Sequence, residues 1–519
     1  MRLFGMNDSQ ARVRLVQAGA VFAAVALVAG CGNNYRPVVT PVNPSGPPAQ
    51  PQSLVVVVTA PSPIAPGITT VIDYAGDSIL AQASIGPGPT AFTLDATGSN
   101  GYTINSDGTI ANIPISTTLQ TKNIIFSTLL SNALPLNLFS PLGGLWATDL
   151  CATFPANASC ISGNLLTEVP GVDVLSNSPA VQTYAIPVAP TPVMVVGPSL
   201  NGRRYFAVSQ NIATPTGLEC NNSPAAQPLG VVTPIEGSSN TTDTPIPVGK
   251  CPVYAVESSD TGRLFVLNRG SDTISVINAQ FGTLDDQCPP PTGCVNQAGQ
   301  TYFSHPTLPL STTAGLTGTN VPATAGPVYA EYNAARNLLV VADYTGNTIS
   351  VIDVSLDQYG NDSSTFGTTY TIPVGKNPAS VTVLYDGSRA YTANQTDQTV
   401  TIANLSSYTV EKTLPVTGYP RTVVSTQNST YGKVYVASPN SDFLTIISTG
   451  GTSPDIIDTT ILLEGDIVDV RVSTQSGSGG NNNNVSRIPG YGQPCNLPPG
   501  VLATLYPLGY TLADCQKQP

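Results

Sequence analysis

The chain carries one histidine, His305, followed by Pro306 in a Gly/Thr/Pro-rich stretch. A histidine-ligated metal centre needs at least two imidazoles, and a Ser-His-Asp triad would have to use this one. His305 therefore reads as a loop residue. The paired acids Asp285 and Asp286, and Asp353 with Asp357, bring calcium chemistry to mind. No DxDxDG loop accompanies them, so they read as turn residues and solvated loop charges. Bound calcium is compatible with the composition but indicated by no motif. No P-loop, no GxSxG and no GxGxxG between a strand and a helix occurs. Accordingly no catalytic residue, metal site or cofactor is expected. Lys and Arg number 19 against 31 Asp and Glu, a net charge of −12. Phosphate-backbone binding needs a positive patch, so nucleic acid is excluded as a partner.

The second reactive set is the nine cysteines. Cys31 follows Val28-Ala29-Gly30, an apolar run from Val16 to Val28, and the cations Arg2, Arg12 and Arg14. Small residues before a cleavage point fit a signal peptidase pocket. The stretch resembles the lipobox of bacterial lipoproteins, in which a cysteine at the first mature position takes a thioether-linked diacylglycerol. The resemblance implies export and attachment to a membrane through N-terminal acyl chains. Gly32 in place of Asp implies an outer membrane, with the protein facing periplasm or surface. No other run of about 18 apolar residues exists to span a bilayer. Residues 1–30 are read as the signal peptide and residues 31–53 as a Pro/Asn-rich extended tether.

Eight cysteines remain, an even number that suits disulfides in an oxidising compartment. Close spacing suggests Cys151 with Cys160, Cys288 with Cys294 and Cys495 with Cys515, leaving Cys220 with Cys251. Zinc is the competing reading, but no CxxC pair occurs and histidine is scarce.

The elements that must hold these residues announce themselves as repeats. Pro252–Asn278, PVYAVESSDTGRLFVLNRGSDTISVIN, aligns without a gap to Pro327–Asp353, PVYAEYNAARNLLVVADYTGNTISVID. A third copy runs from Pro378 to Asn404 and a fourth begins at Pro420. In each, β-branched runs alternate with Asx/Gly turns, which is hairpin chemistry. One unit is a four-stranded antiparallel meander, too small to bury a core alone. Repeats of this period stack around an axis as a β-propeller.

The tetrads Tyr391-Thr392-Ala393-Asn394 and Phe265-Val266-Leu267-Asn268, each followed by a strand such as DTISVIN or NTISVID, resemble the YVTN family of β-propeller repeats. That family occurs in exported and surface proteins of bacteria and archaea. The motif builds blades rather than a site. Phasing on the tetrad gives eight starts, at 56, 102, 146, 206, 265, 340, 391 and 435. The expected fold is all-β, an eight-bladed propeller over residues 54–473; seven blades is the alternative, because the unit around Trp146 matches poorly. Stretches 212–244 and 280–325 are read as Cys-bearing insertions. The run Ile467–Val472 reads as a first strand without followers, and the first unit lacks a first strand. Joining the two closes the ring. Residues 474–519 read as a flexible linker and a small Cys-stapled appendage.

First strands line the centre of a propeller, and alternation along them selects Tyr254, Tyr329, Glu331, Ser380, Thr382, Asp469 and Arg471 as candidate channel-lining binding residues. The expected function is a lipid-anchored cell-envelope scaffold that binds a protein or glycan without catalysis. The alternatives are a lactonase-like, metal-assisted propeller enzyme and a structural surface-layer component.

Overall fold

A computed structural model describes residues 54–473, except 63, 96, 107–108, 116–124, 129–134, 142–143, 150–170, 177–181, 198–203, 213–218, 259–261 and 452–453. These residues form an eight-bladed β-propeller. Each blade is a four-stranded antiparallel sheet, the fourth strand being split into two short segments in two blades, and strands follow one another outwards in chain order in all but one blade. The inner strands are Ala91–Leu94, Pro135–Phe139, Pro192–Val196, Pro252–Glu257, Pro327–Asn333, Pro378–Val383, Thr422–Ser425 and Asp466–Val472. Each inner strand touches the next, and the last touches the first, so the ring is closed.

The remaining blade joins both ends of the described chain. Leu54–Ala60, Pro66–Asp73 and Ser78–Pro87 supply its outer three strands and Asp466–Val472 its inner one. Val57 faces Val470 across the antiparallel seam. The seam is fastened at its end: Leu54 N donates to Ser473 Oγ at 2.8 Å, and Ser473 N donates to Leu54 O at 2.7 Å. Pairing the termini removes an exposed strand edge from the ring.

All eight tetrads lie on the second strand of a blade, including the weakly matched Trp146 unit, whose strand Leu145–Asp149 sits in a complete sheet. Their last residue explains the wording that follows. Asn268 Nδ2 donates to Thr273 Oγ1 and Ser275 Oγ, at 3.3 and 3.0 Å. Asn394 Nδ2 donates likewise to Thr399 Oγ1 and Thr401 Oγ1, at 3.0 and 2.8 Å. In the blade between them, Asp343 Oδ2 accepts from Thr348 Oγ1 and Ser350 Oγ. A buried polar side chain must be satisfied, and the Thr-x-Ser/Thr of the third strand does so on one face. The glycine of the preceding IPVGK segments passes over the same side chain. A Cβ on Gly249 would lie 2.6 Å from Asn268, and one on Gly375 2.7 Å from Asn394.

Apolar side chains of neighbouring blades fill the space between sheets, among them Phe265, Val266, Val340, Val341 and Tyr391, all fully buried. The two expected insertions are resolved differently. Stretch 212–244 contains the third strand of its blade, Leu229–Glu236, so the added residues lie before that strand, with a short helix at Glu219–Asn222. Stretch 280–325 interrupts a fourth strand: Thr283–Leu284 and Thr307–Pro309 both pair with Thr273–Asn278, and a small hairpin lies between them. β-branched and polar strand residues occur in both stretches without a tetrad, which is why repeat phasing left them as loops.

Candidate functional site

The seven inner-strand candidates are all at least nine-tenths buried, and the contacts resolved for them run largely between blades. Tyr254 and Tyr329, on adjacent inner strands, meet with ring centroids 4.6 Å apart. Glu331 Oε1 accepts from Val383 N of the next blade at 3.1 Å and from Gln427 Nε2 of the blade beyond at 3.4 Å. Ser380 Oγ accepts from Val423 N at 3.0 Å, and Thr382 Oγ lies 3.0 Å from Ser425 Oγ. Asp469 Oδ1 accepts from Thr422 Oγ1, and its Oδ2 accepts from Arg471 Nε and Nη2, at 3.0 and 2.9 Å. Buried charges are tolerated when paired and hydrogen-bonded. The alternation identified these positions, and polar atoms of Glu331, Ser380, Thr382 and Asp469 bond to the inner strand of a neighbouring blade.

A second ring of contacts escaped the repeat reading. In five consecutive blades a cation at or near the start of the second strand reaches the turn between the third and fourth strands of the next blade. Arg204 Nη1 donates to Gln280 O at 2.9 Å. Arg263 Nη2 pairs with Asp362 Oδ1 at 3.0 Å. Arg336 Nη1 donates to Leu405 O and Ser406 Oγ. Arg389 pairs with Asp455 and donates to Thr449 O. Lys433 Nζ pairs with Asp77 Oδ2 at 2.6 Å and donates to Tyr74 O. The signal was present: Arg204, Arg263, Arg389 and Lys433 each stand two residues before a tetrad.

Around Arg263 this contact grows into a cluster. Its Nε lies 3.1 Å from Asp285 Oδ2. Asp362 Oδ2 lies 2.9 Å from His305 Nδ1 and accepts from the His305 backbone N at 3.0 Å. The Asp362 side chain is fully buried, while that of His305 is 32 % exposed. The imidazole stacks on Phe366, with centroids 5.3 Å apart. Burial pushes the Asp285 carboxyl up to about 6; Arg263 opposes the shift and the neighbouring charge of Asp362 adds to it. His305 lies in a loop, as expected, and is held there by Asp362, whereas Asp285 is buried and no solvated charge. Asp357 behaves as a turn residue, its Oδ1 accepting from Tyr359 N and Asn361 N.

Two disulfides match the expected pairings. Cys288–Cys294 closes with a Cα–Cα distance of 5.1 Å and Cys220–Cys251 with 5.6 Å. The first staples the loop that carries His305: Cys288 N donates to Ser304 Oγ, and Ser304 N to Cys288 O. Disulfides of this kind belong to oxidising, exported compartments. Cys31, Cys151, Cys160, Cys495 and Cys515 lie outside the described residues, as do residues 1–53 and 474–519. Among the described residues, no group of three or more His, Cys, Asp or Glu converges as a metal-ligand set, and no helix is long and apolar enough to cross a membrane.

No protein-family model and no curated protein matches the chain. Solved structures do. Dihydro-heme d1 dehydrogenase NirN, in complex with DHE, is 12% identical, with 82% of this chain and 77% of that chain covered and a TM-score of 0.52. AztD of Citrobacter koseri is 12% identical, with 81% and 97% covered and a TM-score of 0.49. The periplasmic gluconolactonase PpgL of Pseudomonas aeruginosa is 13% identical, with 81% and 98% covered and a TM-score of 0.44. At such identities the likeness is one of fold, and the fold this chain shares is the β-propeller.

Proposed function

We propose that the chain is an exported, lipid-anchored propeller of the cell envelope, held through acyl chains on Cys31, that binds a protein or glycan without catalysing a reaction. One observation carries this reading. The charged and polar side chains best placed for chemistry, from Glu331 and Asp469 on the inner strands to Arg263, Asp285 and Asp362 between blades, are buried against one another. Their polar atoms hold blades together, which leaves the turns of the two faces as the surfaces for recognition. The lipobox resemblance, the YVTN-like repeats and the two disulfides agree with an exported scaffold.

The test is paired. Palmitate labelling in cells is expected to be lost in Cys31→Ala and retained in Cys288→Ser. Cross-linking of the anchored chain is expected to recover an envelope partner reproducibly, while the purified chain turns over no member of a lactone panel. Repeated recovery of no partner, together with lactone turnover, sinks the proposal.

A second reading rests on His305. A partly exposed imidazole with Nδ1 held by a buried carboxylate is the arrangement of a general base. If the chain hydrolyses an ester or lactone, His305→Ala abolishes that activity; if turnover survives the substitution, this reading is wrong.

A further inference from the structure

The two faces of the ring are chemically unequal. One face carries the turns between first and second strands and between third and fourth strands. Across four consecutive blades it presents Phe281, Tyr359, Tyr385 and Tyr431, which are 70, 40, 53 and 67 % exposed. Between them, Tyr370 and Tyr408 stack in parallel, centroids 3.8 Å apart and planes 7° apart. The opposite face, among the described residues, exposes Tyr419 in a turn and Phe443 at the start of a third strand.

These rings are held in place by their turns. Phe281 N donates to Asn278 Oδ1, Tyr359 N to Asp357 Oδ1 and Tyr431 N to Asn428 Oδ1, at 3.2, 2.8 and 2.9 Å. Tyr385 N donates to Gln427 O of the neighbouring blade at 2.8 Å, and the Tyr431 carbonyl accepts from the Tyr74 hydroxyl. An Asx turn fixes the backbone at Phe281, Tyr359 and Tyr431. Three different turn sequences thus hold an aromatic residue outward by the same device. Rigid aromatic contact surface costs little ordering entropy on binding.

We infer that this arc is a binding site for a neutral or N-acetylated hexose polymer. The inference rests on the scaffold reading above and names the ligand class for it. Three properties of the arc select that class. The rings come from successive blades rather than from one contiguous patch, which suits a ligand whose units repeat and not the continuous desolvated centre a protein interface needs. Three of the turns also carry hydrogen-bonding side chains suited to sugar hydroxyls, Asp357 with Tyr359, Asp386 with Tyr385, and Asn404, 2.7 Å from Glu411, with Tyr408, and the Tyr hydroxyls add their own. Aromatic faces with a polar handle accept an apolar CH surface and hydroxyls together. Finally, a net charge of −12 repels acidic polymers and anionic membranes, which leaves an uncharged chain.

The test uses the full mature lipidated chain in detergent, titrated calorimetrically with cellohexaose and with chitohexaose, and co-sedimented with insoluble cellulose and chitin. At least one oligosaccharide is expected to bind. The double variant Tyr385→Ala/Tyr431→Ala is expected to weaken it at least tenfold, and Tyr385→Phe/Tyr431→Phe to stay within about threefold, because the stacking face is kept. Both side chains are exposed, so the thermal midpoint is expected not to move in either variant. Binding of neither sugar, or equal binding by the alanine variant, overturns the inference. An envelope protein that cross-links to the wild-type chain but not to the alanine variant, with neither sugar bound, shows the arc to be a protein interface and overturns it too while the scaffold reading stands. Recovery of no partner together with lactone turnover removes the scaffold reading itself.

Discussion

Lys433 Nζ lies 2.6 Å from Asp77 Oδ2, although 356 residues separate them in the chain. The pair joins the last complete blade to the turn of the blade that both termini build. It is the final member of the series of cations that reach from one blade to the next, and it ties the N-terminal strands of the closing blade to the blade before it. The lysine side chain and the carboxylate are each only 15 % exposed.

Removing one partner of a largely buried pair leaves the other unsatisfied. Lys433→Met is expected to cost about 2 kcal/mol of unfolding free energy, at the scale usual for such losses. A double-mutant cycle with Asp77→Asn should return a coupling energy above about 0.5 kcal/mol. Independent, additive losses in urea unfolding would show that the contact does not fasten the closure.

Asp343 supplies the pH prediction. It stands where neighbouring blades have Asn268 and Asn394, is fully buried, and burial pushes its carboxyl up to about 7 against opposing hydrogen bonds from Ser350 and Thr348. The folded state therefore holds this proton where the unfolded chain, whose carboxyl has its ordinary value of 3.8, has released it. Stability falls as pH rises from about 4 through about 7. Asp343→Asn, whose amide donates to the same two hydroxyls as its counterparts do, is expected to flatten that slope and to raise the melting temperature at pH 8. A variant with the wild-type slope in denaturation at pH 5 and pH 8 contradicts the assignment.

The two resolved disulfides should differ in worth. Cys220–Cys251 closes a span of 31 residues and Cys288–Cys294 a span of 6. Loop-closure entropy gives about 4 kcal/mol for the first and about 2 for the second. Paired Cys→Ser replacements, compared by chemical denaturation under oxidising conditions, should keep that order.

Arg263 is expected to be the anchor of the inserted loop. It bonds to Asp362 and pairs with Asp285, while Asp362 holds His305. Arg263→Ala leaves two neighbouring buried carboxyls without their cation. Limited proteolysis should then cut between residues 285 and 306 well before the blades unfold, since a segment that loses its few buried contacts opens first. Cleavage no faster than in the parent chain would show that the loop is held by its disulfide and strands alone.

The blades were legible because one motif carries its own explanation. The tetrad and the Thr-x-Ser/Thr strand after it repeat since Asn268 and Asn394 must each be satisfied by the strand that follows. The same local logic revealed the terminal seam, because Ile467–Val472 lacked followers and Leu54–Ala60 a predecessor. The pairing of Cys220 with Cys251 followed by elimination. Contacts between blades were not legible. Arg263 and Asp362 lie 99 residues apart, and no periodicity links a strand start to a turn in the next unit whose length varies. His305 illustrates the cost of that gap: its local sequence is a Gly/Thr/Pro-rich loop, and its partner, Asp362, comes from a turn of the next blade.

The central claim is that the ring binds and does not catalyse. Its most direct test is in-cell cross-linking of the lipidated chain, run beside a lactone and ester turnover assay on the same purified protein. The account predicts a reproducible envelope partner, protein or glycan, and no turnover above buffer. Turnover abolished by His305→Ala, with no partner recovered, contradicts it.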